Sequence, residues 1–381
     1  MLDCKPDFAR RVLGVSESRT IRVFSLARQL QQQGRHIISL AVGEPAFDTP
    51  KEVVDATRQA LADQHTRYGA VAGLEPLRDR LADGFTGYSS RNILVTNGAK
   101  QALFSIFQAL CNPGDEIIVP RPCWVSFTEQ IKLTGARPVM VDTVDHQIDP
   151  AAIEKAVTPR TKAILVNSPN NPTGAVYSRE CLSGVARIAA ARNVYLISDE
   201  AYHAFTYDDR THVSLRDVAD GKPLVITVRS FSKQYNMTGF RLGYVAADEE
   251  VIQTLVRLQS HLSGNVCTFA QHGGLAALEM DQNIVEQRRQ DLQRRRDLAL
   301  SLAREFFECI KPRGAFYLFA DVRKHLHKGE SSEGLAMRLL DRAGVAVVPG
   351  EAFGGPGHIR ISFGAAESEI RAAFEKIKEV L

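Results

Sequence analysis

Short apolar runs rich in β-branched residues alternate with longer amphipathic stretches over most of this 381-residue chain. The candidate strands are residues 93–96, 116–119, 137–141, 163–167, 194–198, 224–228 and 243–246. Most of them are followed by a helical pattern or a turn, which indicates βαβ units and a mainly parallel sheet. We therefore expect an α/β domain that binds its ligand at the carboxyl ends of the strands.

The pattern changes after residue 274. A long helical stretch at 284–307 precedes an apolar run at 314–319, a helix at 333–343, strands at 345–348 and 358–363, and a helix at 367–381. This mixture predicts a smaller α+β domain. The predicted organisation is an N-terminal segment (1–38) that packs with the small domain, a large domain (39–274) and a small C-terminal domain (275–381).

Composition narrows the class of protein. The chain has 44% hydrophobic and 24% charged residues, and its 47 basic and 44 acidic residues leave a net charge of only +3, which gives no reason to expect nucleic acid as a partner. The N-terminus lacks the apolar segment of a signal peptide, and no run approaches the roughly 20 apolar residues that span a bilayer. We expect a cytoplasmic protein without a membrane partner.

Cysteine and histidine spacing gives no sign of a disulfide framework or a metal site. The cysteines are scattered, with no C-x-x-C pair, at Cys4, Cys111, Cys123, Cys181, Cys267 and Cys309. His325 and His327 lie between lysines without a carboxylate beside them, which is typical of a solvated loop.

The run Ser-Phe-Ser-Lys-Gln-Tyr-Asn-Met-Thr-Gly-Phe-Arg at 230–241 carries the strongest chemical signal. Lys233 can form a Schiff base with an aldehyde, while Ser230 and Arg241 can bind a phosphate. The alternative is a solvated surface lysine beside a structural arginine. Which interpretation holds depends on whether the remainder of a cofactor site is encoded elsewhere.

Three segments at predicted strand ends offer further contacts. Gly98, Ala99 and Lys100 form a strand-to-helix turn, whose free N–H groups favour an anion, although a plain tight turn has the same pattern. Trp124, the only tryptophan, can stack on a heteroaromatic ring or pack in the core. Asn171 lies in a proline-rich turn and can offer its amide, but turn chemistry alone also explains this segment.

Two charged residues follow or interrupt apolar strands. Asp199 ends one strand, with Tyr202 three residues later; a buried carboxylate there needs a cation, such as a protonated pyridine nitrogen. Arg360 lies within the apolar run at 358–363 and should meet an anion. A structural ion pair or helix cap for Asp199, and a structural salt bridge for Arg360, are the alternatives.

Together, and in this order, these segments resemble class I aminotransferases of fold type I, which bind pyridoxal 5′-phosphate (PLP). The run Gly43-Glu44-Pro45 and Tyr68 add to the resemblance, which covers nearly the whole chain and is closest in pattern to the bacterial aspartate aminotransferase branch. It implies a large PLP-binding domain with a mainly parallel sheet, plus a smaller α+β domain.

The resemblance also implies roles for the cofactor-binding residues. Lys233 would bind the cofactor aldehyde and then shuttle a proton, and Asp199 would keep the pyridine nitrogen protonated. Tyr202 and Asn171 would hydrogen-bond the ring 3-oxygen, and Trp124 would stack on the ring face. The phosphate would be bound by Ala99, Lys100, Ser230 and Arg241, together with Tyr68 from the neighbouring subunit of a homodimer with shared sites.

Substrate roles follow from the same resemblance. Arg360, Asn171 and Gly43 would clamp the α-carboxylate, and Lys100 and Trp124 would lie beside the substrate. The expected reaction moves an amino group between an amino acid, with aspartate favoured, and a 2-oxo acid such as 2-oxoglutarate. Alternatives are an aromatic or prephenate aminotransferase and a carbon–sulfur β-lyase on the same fold.

One departure from the family pattern and the length of the N-terminal segment bear on these expectations. Many relatives carry Asp where this chain has Ala46, which removes one carboxylate near the entrance. A PLP-binding transcription regulator would carry a DNA-binding domain before the fold, and only about 40 residues precede Gly43. We therefore expect an enzyme.

Overall fold

The computed structural model describes residues 8–16, 19–219 and 224–381. Cys4 and residues 1–7 of the segment tested for a signal peptide therefore lie outside the described residues. Within the described ranges, Cys111, Cys123, Cys181, Cys267 and Cys309 are free thiols. No described helix is both long enough and apolar enough to cross a membrane.

The strands of the described chain form three sheets. They are β1 Ile38–Ser39, β2 Ile93–Thr96, β3 Glu116–Arg121, β4 Arg137–Asp142, β5 Thr161–Asn167, β6 Tyr195–Asp199, β7 Val225–Ser230, β8 Gly243–Ala246, β9 Glu308–Cys309, β10 Tyr317–Asp321, β11 Val345–Ala346, β12 Val348–Pro349 and β13 His358–Ser362. The largest sheet has seven strands in the order β2-β8-β7-β6-β5-β3-β4, and only β8 runs antiparallel to its neighbours. The predicted α/β fold with a mainly parallel sheet is confirmed.

The α-helices connect these strands and cover both faces of the large sheet. They are α1 Arg10–Leu13, α2 Arg19–Gln32, α3 Lys51–Ala62, α4 Glu75–Ala82, α5 Gly98–Leu110, α6 Val125–Leu133, α7 Pro150–Ala156, α8 Arg179–Arg192, α9 Phe231–Gln234, α10 Glu249–Leu262, α11 Thr268–Glu279, α12 Asn283–Ala303, α13 Ser332–Arg338 and α14 Glu367–Lys378.

Strand β5 shows how the central strands of the large sheet bury apolar side chains on both faces. Ala163 and Leu165 pack on one face with residues of α5 and α6, whereas Ile164 and Val166 pack on the other with residues of α8. Because helices cover both faces, alternate side chains are buried on opposite sides. The carboxyl ends of the parallel strands remain uncovered, and the polar residues found in the sequence lie there.

The smaller unit is a four-stranded antiparallel sheet in the order β12-β13-β10-β9. Its core contains apolar residues of the long helix α12 and of α14. Val23 and Ala27 of α2 pack against Ala346 and Val348 of this unit, and β1 pairs with β11. The chain thus passes between the two units near Ile38, and the boundaries at residues 38 and 274 stay predictions.

Only part of the apolar run at 314–319 is a strand. Strand β10 begins at Tyr317, three residues into the run. Ala315 has a φ of 54°, and a Cβ on Gly314 would lie 2.8 Å from the carbonyl oxygen of Phe205. The start of the run is therefore a close-packed crossing against the large domain.

Candidate active site

The polar residues at the carboxyl ends of the strands converge on one cavity of about 600 Å³. Of the residues proposed from the sequence, all but one line this cavity: Gly43, Ala99, Lys100, Trp124, Asn171, Asp199, Tyr202, Ser230, Lys233, Arg241 and Arg360. Both units contribute: β13 of the small sheet supplies Arg360, whereas Asp199 and Ser230 end strands of the large sheet and the others lie in loops or at the start of helices. The exception is Tyr68, which is fully exposed.

Lys233 lies on the one-turn helix α9, directly after β7. Ser230 caps this helix by accepting a hydrogen bond from the backbone N–H of Ser232 at 3.1 Å. The Lys233 Nζ points into the cavity and donates to the Gly43 carbonyl oxygen at 2.8 Å. Burial lowers the pKa of Lys233 to about 8, and Glu44 opposes this effect while Arg241 and Arg360 add to it. The surface-lysine interpretation is wrong.

Asp199 ends β6 and is only 4% exposed. One carboxylate oxygen accepts a hydrogen bond from the Ala201 backbone N–H at 3.1 Å, which is a local turn contact. In the part of the chain that the structure describes, no lysine or arginine forms an ion pair with this carboxylate. Burial therefore raises the pKa of Asp199 to about 7. A cationic ligand in the cavity would reverse that shift.

Arg360 is a buried guanidinium on β13. It donates to the Asn171 Oδ1 at 3.0 Å and to the Ala41 carbonyl oxygen at 2.8 Å, and its Nε has no hydrogen-bond partner. Among the described residues no carboxylate pairs with it, so the structural salt-bridge interpretation is wrong. Burial lowers the pKa of Arg360. Since a buried unpaired charge is costly, this arrangement favours an anionic ligand.

Asn171 connects Arg360 with Tyr202. Its Nδ2 donates to the Tyr202 hydroxyl at 3.4 Å, while its backbone N–H donates to the Asn167 Oδ1 at 2.9 Å. Since Arg360 occupies the Oδ1 of Asn171, the amide orientation is fixed by its partners. The turn at 167–174 therefore holds Asn171 in a defined position rather than serving as a connection alone.

An anion site is formed where α5 begins. Gly98 adopts a φ of 78°, and its Asn97 neighbour makes no side-chain cap, so the first N–H groups of α5 stay available. Arg241 lies against this turn: a Cβ on Gly98 would be 2.7 Å from its guanidinium. Together with the hydroxyls of Ser230 and Ser232, these groups suit a phosphate.

Trp124 and Lys100 form one wall of the cavity. The Lys100 Nζ lies 5.1 Å from the centroid of the Trp124 ring, and Phe127 packs edge-on against that ring at 5.3 Å. Burial lowers the pKa of Lys100, and Arg241 adds to this effect. The wall thus offers both an aromatic face and a partly desolvated ammonium group.

Sequence reasoning missed several cavity residues. Ser232, Glu44 and Tyr317 all line the cavity. Ser232 and Glu44 lie within motifs that were recognised, so adjacency to Lys233 and Gly43 was an available signal. Tyr317 had no such signal, because its run at 314–319 is typical of any buried strand.

Comparison with known proteins identifies the family. A family profile described as "Aminotransferase class I and II" matches residues 35–377. An aspartate/prephenate aminotransferase of Thermus thermophilus is 40% identical over 385 residues, covering 98% of each chain. The chain belongs to the class I and II aminotransferases. A probable aspartate/prephenate aminotransferase of Aquifex aeolicus is 39% identical, again with 98% of each chain covered.

Comparison with solved structures agrees with this family assignment. The aspartate aminotransferase from Thermus thermophilus with maleate superposes with a TM-score of 0.95 at 40% identity, covering 99% of this chain and 100% of that one. An aspartate aminotransferase from Thermotoga maritima gives a TM-score of 0.92 at 36% identity, with 98% and 99% covered. The predicted fold type, enzyme class and PLP cofactor are confirmed.

The cavity of the aminotransferase fits PLP. The cofactor carries an aldehyde, a pyridine nitrogen and a phosphate, and the cavity offers the Lys233 amine, the unpaired Asp199 carboxylate and the anion site at the start of α5. The match rests on the donor set and on an uncompensated buried carboxylate. The individual contacts of these residues with PLP stay predictions.

Proposed function

We propose that this aminotransferase transfers the amino group of aspartate to a 2-oxo acid such as 2-oxoglutarate. The supporting observation is a pair of cationic side chains, Arg360 and Lys100, which line one cavity with Lys233. Aspartate, glutamate and their 2-oxo acids carry two carboxylates, so each needs two anion-binding groups. A similar solved structure is named with maleate, which is also a dicarboxylate.

Arg360 binds the α-carboxylate in this proposal. Its guanidinium is held by Asn171 and Ala41, and this preorganisation keeps the remaining N–H groups in place for a bidentate contact. Asn171 and the backbone of Gly43 complete the clamp. Because Arg360 is already desolvated, the carboxylate gains a strong interaction without a further cost of burying the arginine.

Lys100 binds the side-chain carboxylate in this proposal. Its ammonium lies over Trp124 in a partly buried position, where a carboxylate gains a charge-assisted bond. The same wall explains a second candidate. Two relatives are named aspartate/prephenate aminotransferases, and the Trp124 face suits the ring of prephenate or of an aromatic amino acid.

The proposal assigns the remaining roles as the family resemblance implies, to side chains that line the cavity. When bound, PLP supplies an electron sink for the negative charge that develops at the substrate Cα. Asp199 would hold the pyridine nitrogen protonated, Tyr202 would donate to the ring oxygen, and Trp124 would cover the ring face. Lys233 would bind the aldehyde in the resting enzyme and, once the substrate amine has displaced it, would carry the proton that leaves the substrate Cα; a pKa of about 8 leaves part of its amine neutral near neutral pH.

We further propose a cytoplasmic homodimer with shared sites. Tyr68 is fully exposed in the single chain, in a loop where the Thr268 hydroxyl donates to the Arg67 carbonyl oxygen at 3.1 Å. An exposed tyrosine on an ordered loop suits a contact with a second subunit, because tyrosine is enriched at protein–protein interfaces. In this proposal it binds the phosphate of the neighbouring site.

The test is a panel of amino donors, each assayed with 2-oxoglutarate, with oxaloacetate and with prephenate as the amino acceptor. The proposal predicts the highest kcat/KM for aspartate or glutamate, with phenylalanine and tyrosine lower. Highest activity with prephenate or an aromatic donor would favour the second candidate. A cysteine-type substrate that releases pyruvate and ammonia faster than it transaminates would contradict both.

A further inference from the structure

Tyr317 has no role in the reaction described so far, yet it contacts three groups of the site. Its hydroxyl lies 3.0 Å from the Tyr202 hydroxyl, and the Arg360 guanidinium lies 4.3 Å from the centre of its ring. A Cβ on Gly43 would lie 3.1 Å from the same hydroxyl. At 1% exposure, Tyr317 is closed off from solvent.

The register of the small sheet places Tyr317 beside Arg360. Tyr317 of β10 is directly opposite Ser362 of β13, two residues from Arg360. Diagonal neighbours of this kind share one face of an antiparallel sheet. Two residues of the small sheet therefore enter the cavity together, one toward Asn171 and one toward Tyr202.

Either hydroxyl can donate in the contact between Tyr202 and Tyr317, so the other partners of Tyr202 bear on where its proton points. The Oδ1 of Asn171 accepts from Arg360, so its Nδ2 faces Tyr202 and can only donate. Burial raises the pKa of both tyrosines, so Tyr317 also keeps its proton. If Tyr202 oxygen accepts from both Asn171 and Tyr317, its own proton is left to point into the cavity.

We propose that Tyr317 is a positioning residue that donates to Tyr202 and so orients the Tyr202 hydroxyl as a donor toward the ring oxygen of PLP. This inference rests on the proposed contact between Tyr202 and the cofactor. A hydroxyl that accepts a hydrogen bond becomes a better donor, so Tyr317 also strengthens that contact. Through its ring it connects the substrate-binding arginine with the cofactor-binding tyrosine.

The experiment follows the visible absorption of the holoenzyme as a function of pH. A hydrogen-bond donor to the ring oxygen favours the more anionic form of the bound cofactor. Loss of that donor therefore moves the midpoint of the spectral titration to higher pH. Tyr317→Phe should raise the midpoint by about 0.4–1 pH unit, as expected for one neutral hydrogen bond. Tyr202→Phe should raise it further. In the Tyr202→Phe background, Tyr317→Phe should add nothing, because the hydroxyl that it orients is gone.

Tyr207→Phe is the matched control. Tyr207 is likewise buried, and its hydroxyl donates to the Ala315 carbonyl outside the cavity. Tyr207→Phe should leave the midpoint of the spectral titration unchanged. Thermal unfolding of Tyr317→Phe, Tyr202→Phe and Tyr207→Phe shows whether a shift in midpoint merely follows destabilisation. For Tyr317→Phe we also expect kcat to fall by about three- to tenfold with KM changed by less than about threefold, since the ring over Arg360 remains.

Two results would overturn the inference in different ways. A midpoint shifted by Tyr202→Phe but not by Tyr317→Phe would reject the role of Tyr317 and leave the proposed site intact. No shift in Tyr202→Phe itself would reject the contact between Tyr202 and the cofactor, and the role of Tyr317 with it.

Discussion

Two buried charged residues that lack an ion-pair partner within the described chain mark this site. Asp199 and Arg360 are both at least nine-tenths buried, and neither forms an ion pair within the described chain. Each costs folding free energy unless a ligand supplies the opposite charge. In the proposed function the cofactor and the substrate supply those opposite charges, so the unpaired charges would favour these ligands over uncharged ones.

Asp199→Asn tests this idea by its effect on activity. An amide cannot keep the pyridine nitrogen protonated, so we expect PLP to bind while kcat falls by several powers of ten, about 4–7 kcal/mol at ~1.4 kcal/mol per decade. Steady-state kinetics of the holoenzyme provide the measurement. A loss below tenfold would show that Asp199 is not the partner of the ring nitrogen.

In the apoenzyme, we expect the effect of Asp199→Asn on the free energy of unfolding to depend on pH. The folded-state pKa of Asp199 is about 7, whereas an unfolded aspartate has a pKa of ~3.9. The folded state therefore holds an extra proton between these values, and the contribution of Asp199 to stability falls as pH rises through this window. Urea unfolding should show apo Asp199→Asn gaining stability relative to the parent, by up to about 4 kcal/mol, between pH 4 and 7. A pH-independent difference would contradict the buried, unpaired carboxylate.

Lys100→Ala tests the recognition of the substrate side chain. Loss of one charge-assisted bond, roughly 1.5–3 kcal/mol, should lower kcat/KM for aspartate and glutamate about ten- to hundredfold more than for phenylalanine and tyrosine. Lys132→Ala is the control, because Lys132 pairs with Glu129 on the surface of α6. Equal losses for both classes of donor, with weaker PLP binding, would mean that Lys100 serves the phosphate alone.

At the scale of elements, the start of α5 is the part of the site that depends most on backbone geometry. Gly98→Ala places a side chain on a residue with a φ of 78° and pushes it against Arg241. Gly114→Ala is a matched control, since Gly114 has a φ of 90° but an added Cβ would meet no atom within 4 Å. We expect PLP affinity to fall at least about tenfold in Gly98→Ala relative to Gly114→Ala, as measured by cofactor titration. Equal PLP affinities of the two variants would show that the start of α5 does not bind the phosphate.

The sequence predicts elements well where periodicity is strong. Each strand of the large sheet lies within two residues of its expected position, because two-sided burial makes the whole strand apolar. The sequence does not show where β10 begins, because the crossing near Gly314 depends on contacts with Phe205 and Pro169, which are distant in sequence. Tyr317 was missed for the same reason, since its place beside Arg360 follows from the pairing of β10 with β13.

At the scale of the whole molecule, every site residue proposed from the sequence lines the cavity of the single chain, except Tyr68. We expect a homodimer by light scattering. Mixed and allowed to exchange, a Tyr68→Ala chain and a Lys233→Ala chain should form hybrids in which one site takes Lys233 from the first chain and Tyr68 from the second. Activity above that of either parent would support shared sites. A monomer at working concentration would reject them.

The position of covalent attachment tests the central claim most directly. Lys233 lines the cavity, where its Nζ donates to the Gly43 carbonyl oxygen and burial lowers its pKa to about 8. Borohydride reduction of the holoenzyme, followed by digestion and mass spectrometry, identifies the lysine that carries PLP. We predict that the modified peptide contains Lys233 and that Lys233→Ala abolishes both labelling and transamination. Labelling of Lys100 or of any other lysine in the native enzyme would contradict the account.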